Sequence, residues 1–229
     1  MADDVDETRR IFLLRALAAG LFAASPLVRA DLLGNVPHEL PAGKSIHSLN
    51  GVLRINGKTA TTDTVIGSND TLVTGHGSQA IFVVGKDAFI LRENSELHLS
   101  GDNLLVDGLR LVTGALLSVF GKSRHNLTTP TATIGIRGTG LYVEAQPDLS
   151  YVCTCYGTTL IGTVADPANT ETIESKHHDA PRYVQADGSI RPAPFVNHTD
   201  EELMLIETLV GRTTPFALFD DSYGGPKRY

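Results

Sequence analysis

The sequence has little of several features that would assign it to a class at once. It has no tryptophan, only 6% aromatic residues and only two cysteines, and no block of like charge stands out. The formal net charge is -7 and the pI is about 5.6. Because phosphate binding needs a clustered basic surface, we expect no nucleic-acid partner. Hydrophobic residues make up 41% of the 229 residues, which is enough for the core of one ordinary domain or two small ones.

The short motifs of common enzymes are also missing from the sequence. It contains no Gly-x-Ser-x-Gly, no His-Glu-x-x-His and no Cys-x-x-Cys. The acids Glu171, Glu174 and Asp179 could pair for acid–base work, but a solvated loop explains them more simply. We therefore expect no catalytic activity. An enzyme ranks behind the two other classes, a contact or sensing module and a metal-binding protein.

The amino-terminal segment TRRIFLLRALAAGLFAASPLVRA (residues 8–30) resembles a twin-arginine signal peptide. Arg9 and Arg10 precede a short apolar run, and a small-x-small sequence ends at Ala30. The alternative is a membrane anchor, but the run is far shorter than the roughly 20 residues that a spanning helix needs. We therefore expect residues 1–30 to direct export to the periplasm, with membrane contact only in transit. Residues 31–43 are then a linker.

From residue 44 onward, glycine-punctuated runs of strand-forming residues predict an all-β fold. Turn signals recur at intervals of about eight to twelve residues, which is typical of an antiparallel β-sandwich or β-roll with glycine turns. Residues 71–74 and 79–84 are two of the predicted strands. The Asn-Gly pairs at 50–51 and 56–57 predict tight turns between antiparallel strands. We find no helical pattern before residue 199.

The glycine-rich segment TTPTATIGIRGTGLYVEA (residues 128–145) could be a phosphate-binding loop or a bent strand. Its glycines do not follow the Gly-x-Gly-x-x-Gly order, and no helical pattern or Walker lysine follows, which favours the strand. We expect Pro130 to begin the strand or lie at an edge. Gly135 and Gly138 then allow a bend, bulge or close approach beside Thr139, and Gly138 adopts a backbone that only glycine tolerates. Arg137 either holds a carboxylate, caps carbonyls or stays solvated.

Three segments in order resemble the FecR domain family. They are TVIGSNDTLVTGHGSQAIFVV (64–84), AFILRENSELHL (88–99) and TPTATIGIRGT (129–139). The resemblance implies that residues 44–146 are a FecR-like all-β domain outside the cytoplasm, used for sensing or for contact with an envelope protein or glycan, without catalysis. Regulators of this family hold a sigma factor through a cytosolic segment. Since only eight residues precede the arginine pair, we do not expect sigma-factor control here.

Residues 147–229 are predicted to be a C-terminal extension with a Cys-x-Cys strand, a polar loop with a short hairpin, and one α-helix at 199–210. Thr199 and Glu202 form a capping box, and Gly211 suits the position after the helix. An apolar stripe, which we expect to pack on the sheet rather than on a partner protein, is formed by Leu203, Ile206, Leu209 and Val210.

Cys153 and Cys155 are the candidate metal ligands of the extension. Two positions apart on a strand, both thiols project from one face, with Cα atoms roughly 6.6 Å apart. That spacing strains a disulfide but allows two thiolates to share zinc or copper(I). His177, His178 and His198 are available to complete the site, with at most one of the adjacent pair ligating because neighbours in extended chain point apart. A metal site, a labile disulfide and free thiols all remain open. The sequence therefore favours a contact or sensing module, with metal binding as the alternative.

Overall fold

Fourteen strands and one α-helix form the part of the chain that the computed structural model describes, residues 38–102 and 105–218. This confirms the predicted all-β fold with a C-terminal helix. The elements are β1 Ile46–Asn50, β2 Leu53–Ile55, β3 Lys58–Thr59, β4 Thr71–Thr74, β5 Gln79–Val84, β6 Asp87–Leu91, β7 Glu96–Asp102, β8 Leu105–Val119, β9 Arg124–Thr128, β10 Ala132–Ala145, β11 Leu149–Thr163, β12 Thr170–Ser175, β13 Arg182–Gln185, β14 Ile190–Pro192, α1 Asp200–Leu209 and a 3-10 turn Pro215–Leu218. The proposed signal residues Arg9, Arg10 and Ala30 lie outside this part.

The strands belong to one sheet, so a roll describes the fold better than a sandwich of separate sheets. The main path runs β14-β13-β11-β10-β9-β8-β7-β4-β2-β3. β8 is long enough to pair with β7 and β9 along its first half and with β6 and β10 along its second. All pairings are antiparallel except β8 with β9, which is parallel. The sheet continues past residue 146, because β11 pairs with β10, β12 and β13.

The sheet buries apolar side chains on both faces. The inner core includes Leu53 of β2, Phe82 of β5 and Val184 of β13, so strands from distant parts of the path meet inside the roll. The outer core covers part of the other face, and there Leu203 and Ile206 of α1 pack on residues of β5, β6, β8, β10 and β11. Since buried apolar surface contributes roughly 25 cal/mol per Å², this burial stabilises the docking of α1 on the sheet.

The two Asn-Gly pairs have different roles. Asn56 and Gly57 have φ of 51° and 79° and join β2 to β3 in the predicted tight hairpin. The prediction for Asn50-Gly51 was wrong, because β1 pairs with β5 while β2 pairs with β4. The Asn-Gly pair there connects two strands that pair with different partners in the sheet, a role that local sequence does not distinguish from a hairpin.

The glycine-rich segment is a strand with a bulge. Pro130 was expected to begin the strand or lie at an edge. It lies instead in the four-residue turn before β10, where Thr129 N donates to Ala132 O at 2.9 Å. Gly138 has φ of +59°, and the hydroxyl of buried Thr139 donates to the carbonyls of Arg137 and Thr158, both at 3.0 Å. The carbonyls freed by the bulge are thereby satisfied.

The bulge in β10 is matched by a second one in β11. Arg137 pairs with Thr158, Gly140 with Tyr156, and Leu141 with Thr154, so β10 gains a residue first and β11 gains one next. After both bulges, the two strands are back in their original register. The bulges do, however, change which side chains face the inner core. Ile136 and Leu141 are both in the inner core, although residues five positions apart on a regular strand lie on opposite faces.

The extension contains one strand that the sequence did not reveal. β12 lies in the predicted polar loop, and Ile173 is its only apolar residue, so its composition resembles a loop. It forms because β11 supplies a partner ladder. The predicted short hairpin is present as β13 and β14.

The helix α1 follows the prediction closely. Thr199 is the N-cap, and it forms the capping box with Glu202. The Glu202 carboxylate also accepts from Arg92 at 2.7 and 2.8 Å, which fixes the start of the helix to the end of β6. Among the described residues, no helix is long and apolar enough to cross a membrane.

Candidate metal centre

Four side chains from three segments of the extension converge on one point. Cys153 and Cys155 come from β11, His178 from the turn after β12, and His198 from the segment just before α1. Their ligand atoms, two Sγ and two ring nitrogens, all lie within 4.8 Å of one another. The sequence predicted these four residues as candidates, and the fold brings them together.

Local backbone geometry places each ligand. Cys153 and Cys155 alternate with Thr154 on β11, and both thiols are fully buried on the outer face. His178 has a left-handed φ of 54°, and its N–H donates to Cys155 O at 2.9 Å. Asn197, just before His198, also has a left-handed φ, of 62°. Non-glycine residues adopt this conformation at a cost of about 1–3 kcal/mol and concentrate at functional sites.

The spacing of the ligand atoms fits a tetrahedral ion. The Sγ of Cys153 lies 3.5 Å from His178 Nδ1, and the Sγ of Cys155 lies 3.4 Å from His198 Nε2. The two ring nitrogens are 3.2 Å apart. Bonds of about 2.3 Å to sulfur and 2.0–2.1 Å to nitrogen place tetrahedral ligands about 3.4–3.8 Å from each other. These three distances therefore differ from tetrahedral values by only a few tenths of an ångström, and all four ligand atoms lie within 4.8 Å of one another.

Outer hydrogen bonds fix the tautomers of both histidines. His178 Nε2 faces the Asp200 carboxylate at 3.0 Å, and His198 Nδ1 faces the carbonyl of Val196 at 2.7 Å. Both partners can only accept, so these nitrogens carry protons, and His178 Nδ1 and His198 Nε2 are the nitrogens that face the sulfurs and could bind a metal. Outer contacts of this kind orient metal-bound histidines and make them more basic.

Burial and mutual contacts shift the pKa values of the cluster in different directions. Burial opposes ionisation of Cys153, but hydrogen bonds from Cys155, His178 and His198 outweigh it and lower its pKa well below the usual value. Burial raises the pKa of Cys155, and the neighbouring Cys153 raises it further. Burial acts to lower the pKa of His178, yet Asp200 and Cys153 bring it up to about 9. Asp200 itself has a pKa of about 2, because its contacts with His178 and His177 outweigh the effect of burial.

Aromatic rings close the site from solvent. Tyr142 stacks on His198 with ring centroids 4.4 Å apart, and Phe195 lies 4.5 Å from His178 and 4.6 Å from His198. The side chain of His178 is only 8% exposed and His198 is 4% exposed. Four protein ligands behind such a wall are typical of a structural site, since a catalytic site keeps one position open.

His177 lies outside the four-residue cluster. Its Nε2 contacts the Asp200 carboxylate at 2.9 and 3.0 Å, so it shares with His178 an outer partner of the site. The expectation that adjacent histidines point apart was wrong, because the left-handed φ of His178 sets the two rings side by side, with centroids 4.9 Å apart. Cys153 and Cys155 are both free thiols.

The three acids weighed as an acid–base group do not converge. Glu171 forms a two-point ion pair with Arg182, at 2.9 and 2.6 Å, which lowers the pKa of the carboxyl. Asp179 accepts from the backbone N–H groups of Lys176 and His177 and thereby stabilises the turn that carries His178. Glu174 is exposed on β12. Glu171 and Asp179 therefore each make a structural contact.

Asp200 is the residue of this site that the sequence did not single out. It stands in the first turn of α1 with Glu201 and Glu202, where acids are common because the helix dipole favours them. Nothing in that pattern separates Asp200 from its neighbours. Its proximity to His198 along the chain is the one signal that could have suggested a role.

Comparison with known proteins gives a partial likeness in fold. No family model and no curated protein match the chain. Two solved structures of a candidate anti-sigma factor from Parabacteroides distasonis are similar to it, with 12% and 13% sequence identity and TM-scores of 0.44 and 0.46. The similarity covers 54% of this chain and 58% of the other, so this chain spans less than two thirds of the protein that it matches.

Proposed function

We propose that this protein is an exported, non-catalytic contact module in which one zinc ion fastens the turn after β12 and the segment before α1 to β11. The observation that carries the zinc proposal is the convergence of Cys153, Cys155, His178 and His198. Each sulfur lies 3.4–3.5 Å from a ring nitrogen, the two nitrogens are 3.2 Å apart, and all four atoms lie within 4.8 Å of one another at a buried position. Electron-rich atoms at this spacing repel unless a cation or protons lie among them.

The donor set selects the metal. Two thiolates and two imidazoles in a tetrahedral arrangement suit zinc, whereas magnesium and calcium prefer oxygen ligands. Copper(I) also accepts soft sulfur and is the second candidate. With all four positions supplied by the protein, the expected role is structural.

Metal analysis of untagged protein purified from the periplasm tests the zinc centre. We expect about one zinc per chain, lost in Cys153→Ser/Cys155→Ser and in His178→Ala. His177→Ala is the matched control and should keep its zinc, because its ring binds Asp200 and not the cluster. Cobalt loading should give the visible bands of a tetrahedral thiolate complex. Copper in place of zinc would correct the identity of the metal. Metal-free wild type would refute the site, and mass spectrometry after alkylation would in that case separate a Cys153–Cys155 disulfide from free thiols.

The contact role rests on different observations. The segment at 129–139 that resembles the FecR motif lies in the turn after β9 and the first part of β10, and the candidate acids Glu171 and Asp179 serve structural contacts. Export rests on the arginine pair at the start of the chain. Replacing Arg9 and Arg10 by Lys should leave precursor in the cytoplasm, while wild type reaches the periplasm. Unchanged periplasmic amounts would contradict export by this route.

A crosslinking pull-down that recovers no envelope component, together with turnover of a substrate panel, would overturn the contact role.

A further inference from the structure

Part of the outer sheet face lies away from α1 and the outer core, and there the side chains form a regular grid. Across β9, β10, β11 and β12, one row reads Arg124, Arg137, Thr158 and Glu174. The next row reads Asn126, Gly135, Leu160 and Thr172. Side chains opposite each other in such rows lie about 4.5–5.5 Å apart at Cβ.

Gly135 makes a depression in this grid. The lack of a side chain there deepens an open depression of about 400 Å³, whose lining includes Asn126, Leu160 and Thr172. Leu160 is 49% exposed, so the depression has an apolar wall open to solvent. At one end, here called the upper end, the depression is lined by Arg124, Arg137 and Thr158. A hollow of this size, apolar on one side and polar on the other, can hold a single sugar ring.

Two arginines stand directly opposite each other at the upper end. Arg124 and Arg137 are register partners, both are exposed, and neither has an ion pair or side-chain hydrogen bond within the described ranges. Like charges placed opposite in a sheet destabilise it. The acidic side chain nearest by register is Glu174, which lies two strands from Arg137, beyond Thr158. In a chain of net charge -7, this local pair of positive charges is best explained by an anion between them.

We propose that this depression binds an acidic sugar unit, with its carboxylate or phosphate between the guanidinium groups of Arg124 and Arg137. Planar guanidinium groups bind such oxyanions through paired hydrogen bonds. The ring lies over Gly135 against Leu160, and Asn126 and Thr172 are available to its hydroxyl groups. The site gives the proposed contact module a ligand class, and it uses no residue of the metal centre.

Titration of zinc-loaded, isotope-labelled protein followed by amide NMR tests the site. We expect saturable shifts at residues 124–126, 135–137 and 158–160 with glucuronate or glucose 6-phosphate, up to about 10 mM for an exposed site with a dissociation constant of about 1 mM. The first compound represents a uronic acid and the second a phosphorylated sugar. Neutral glucose should give no such shifts. Equal saturation by inorganic phosphate alone would overturn the sugar proposal, and no saturation by either acidic sugar would overturn the site.

Three variants separate binding from folding. Arg137→Gln should weaken binding by tenfold or more without lowering the melting temperature, because it removes a repulsion. Gly135→Val should abolish binding by filling the hollow, since a Cβ there meets Leu160 Cβ at an ordinary 3.6 Å. Arg54→Gln, at the one exposed position of β2, is the matched control and should bind as wild type does. Unchanged binding by Gly135→Val would refute the location. Because zinc content is measured in the same samples, loss of the metal centre cannot be mistaken for loss of this site.

Discussion

The left-handed backbone of Gly138 gives a residue-scale prediction. Gly138→Val should lower the free energy of unfolding by about 1–3 kcal/mol, because a non-glycine residue is strained at φ of +59°. A Cβ there would meet nothing nearer than 3.8 Å, so the effect comes from the backbone and not from a clash. Gly138→Asn should cost less, since asparagine tolerates this region. Urea unfolding measures both, and a valine variant as stable as wild type would contradict the prediction.

A second residue-scale prediction concerns Asp200. Asp200→Ala should weaken zinc binding by about 10–100-fold, because His178 loses the carboxylate that holds its Nε2 proton. Glu201→Ala removes an acid from the same helical turn and is exposed, so it controls for the helix dipole. Competition with a chromophoric chelator gives the affinities. Equal losses in both variants would assign the effect to the dipole.

At this scale the sequence carried part of the site. The strand period was sufficient to place Cys153 and Cys155 on one face. It was not sufficient to choose between His177 and His178, because the choice depends on the left-handed φ of His178, which the turn around Asp179 enforces. Asp200 could not be recognised for the same kind of reason, since its partner is more than twenty residues away along the chain.

At the scale of elements, α1 should be held mainly by its apolar face. Ile206→Ala should destabilise the protein by about 2–5 kcal/mol, because Ile206 is fully buried in the outer core. Met204→Ala, on the same helix and 39% exposed, should change stability by less than about 0.5 kcal/mol. Thermal unfolding of the two variants compares them directly. Similar effects in both would mean that the helix is not docked through this face.

The elements differ in how well the sequence predicted them. β4, β5 and α1 were recovered almost to the residue, because alternation, flanking glycines and a capping box all agreed. β12 was missed because its pairing energy comes from β11 and not from its own composition. The Asn50-Gly51 pair was misassigned because pairing of β1 with β5 is decided by the inner core.

At the scale of the whole molecule, the metal should couple the extension to the sheet. Removing zinc with a chelator should lower the melting temperature and open new protease sites between residues 164 and 199, because the ion in the proposed centre joins β11, the turn after β12 and the segment before α1. For zinc at 1,000 times its dissociation constant, the stabilisation is about 4 kcal/mol. Zinc addition should reverse both effects.

The control for this prediction is Cys153→Ser/Cys155→Ser. It should already be destabilised and should not respond to chelator. If wild type keeps its melting temperature and its protease pattern after verified metal loss, the outer core alone holds the extension, and the ion adds nothing to the docking.

The overall class was predictable, but the two-sided burial of the sheet was not. Tyr142 and Tyr156 both belong to the outer core, although strand alternation continued from Ile134 and Ile136 would place Tyr142 with the inner core. The bulges cause this change of facing, and a bulge has no sequence signature beyond its glycines.

The matched bulges also determine where the β10–β11 hairpin can change length. Residues 138–140 of β10 and 155–157 of β11 lie between the Arg137–Thr158 and Leu141–Thr154 pairs. Each segment has one residue more than a regular strand would need to keep the flanking side chains on their present faces of the sheet. Loss of a residue from either bulge therefore leaves every later side chain on its present face. A deletion elsewhere, such as within residues 142–145, would turn the remainder of the strand over. Natural insertions and deletions in proteins with this hairpin should therefore cluster at these two short segments.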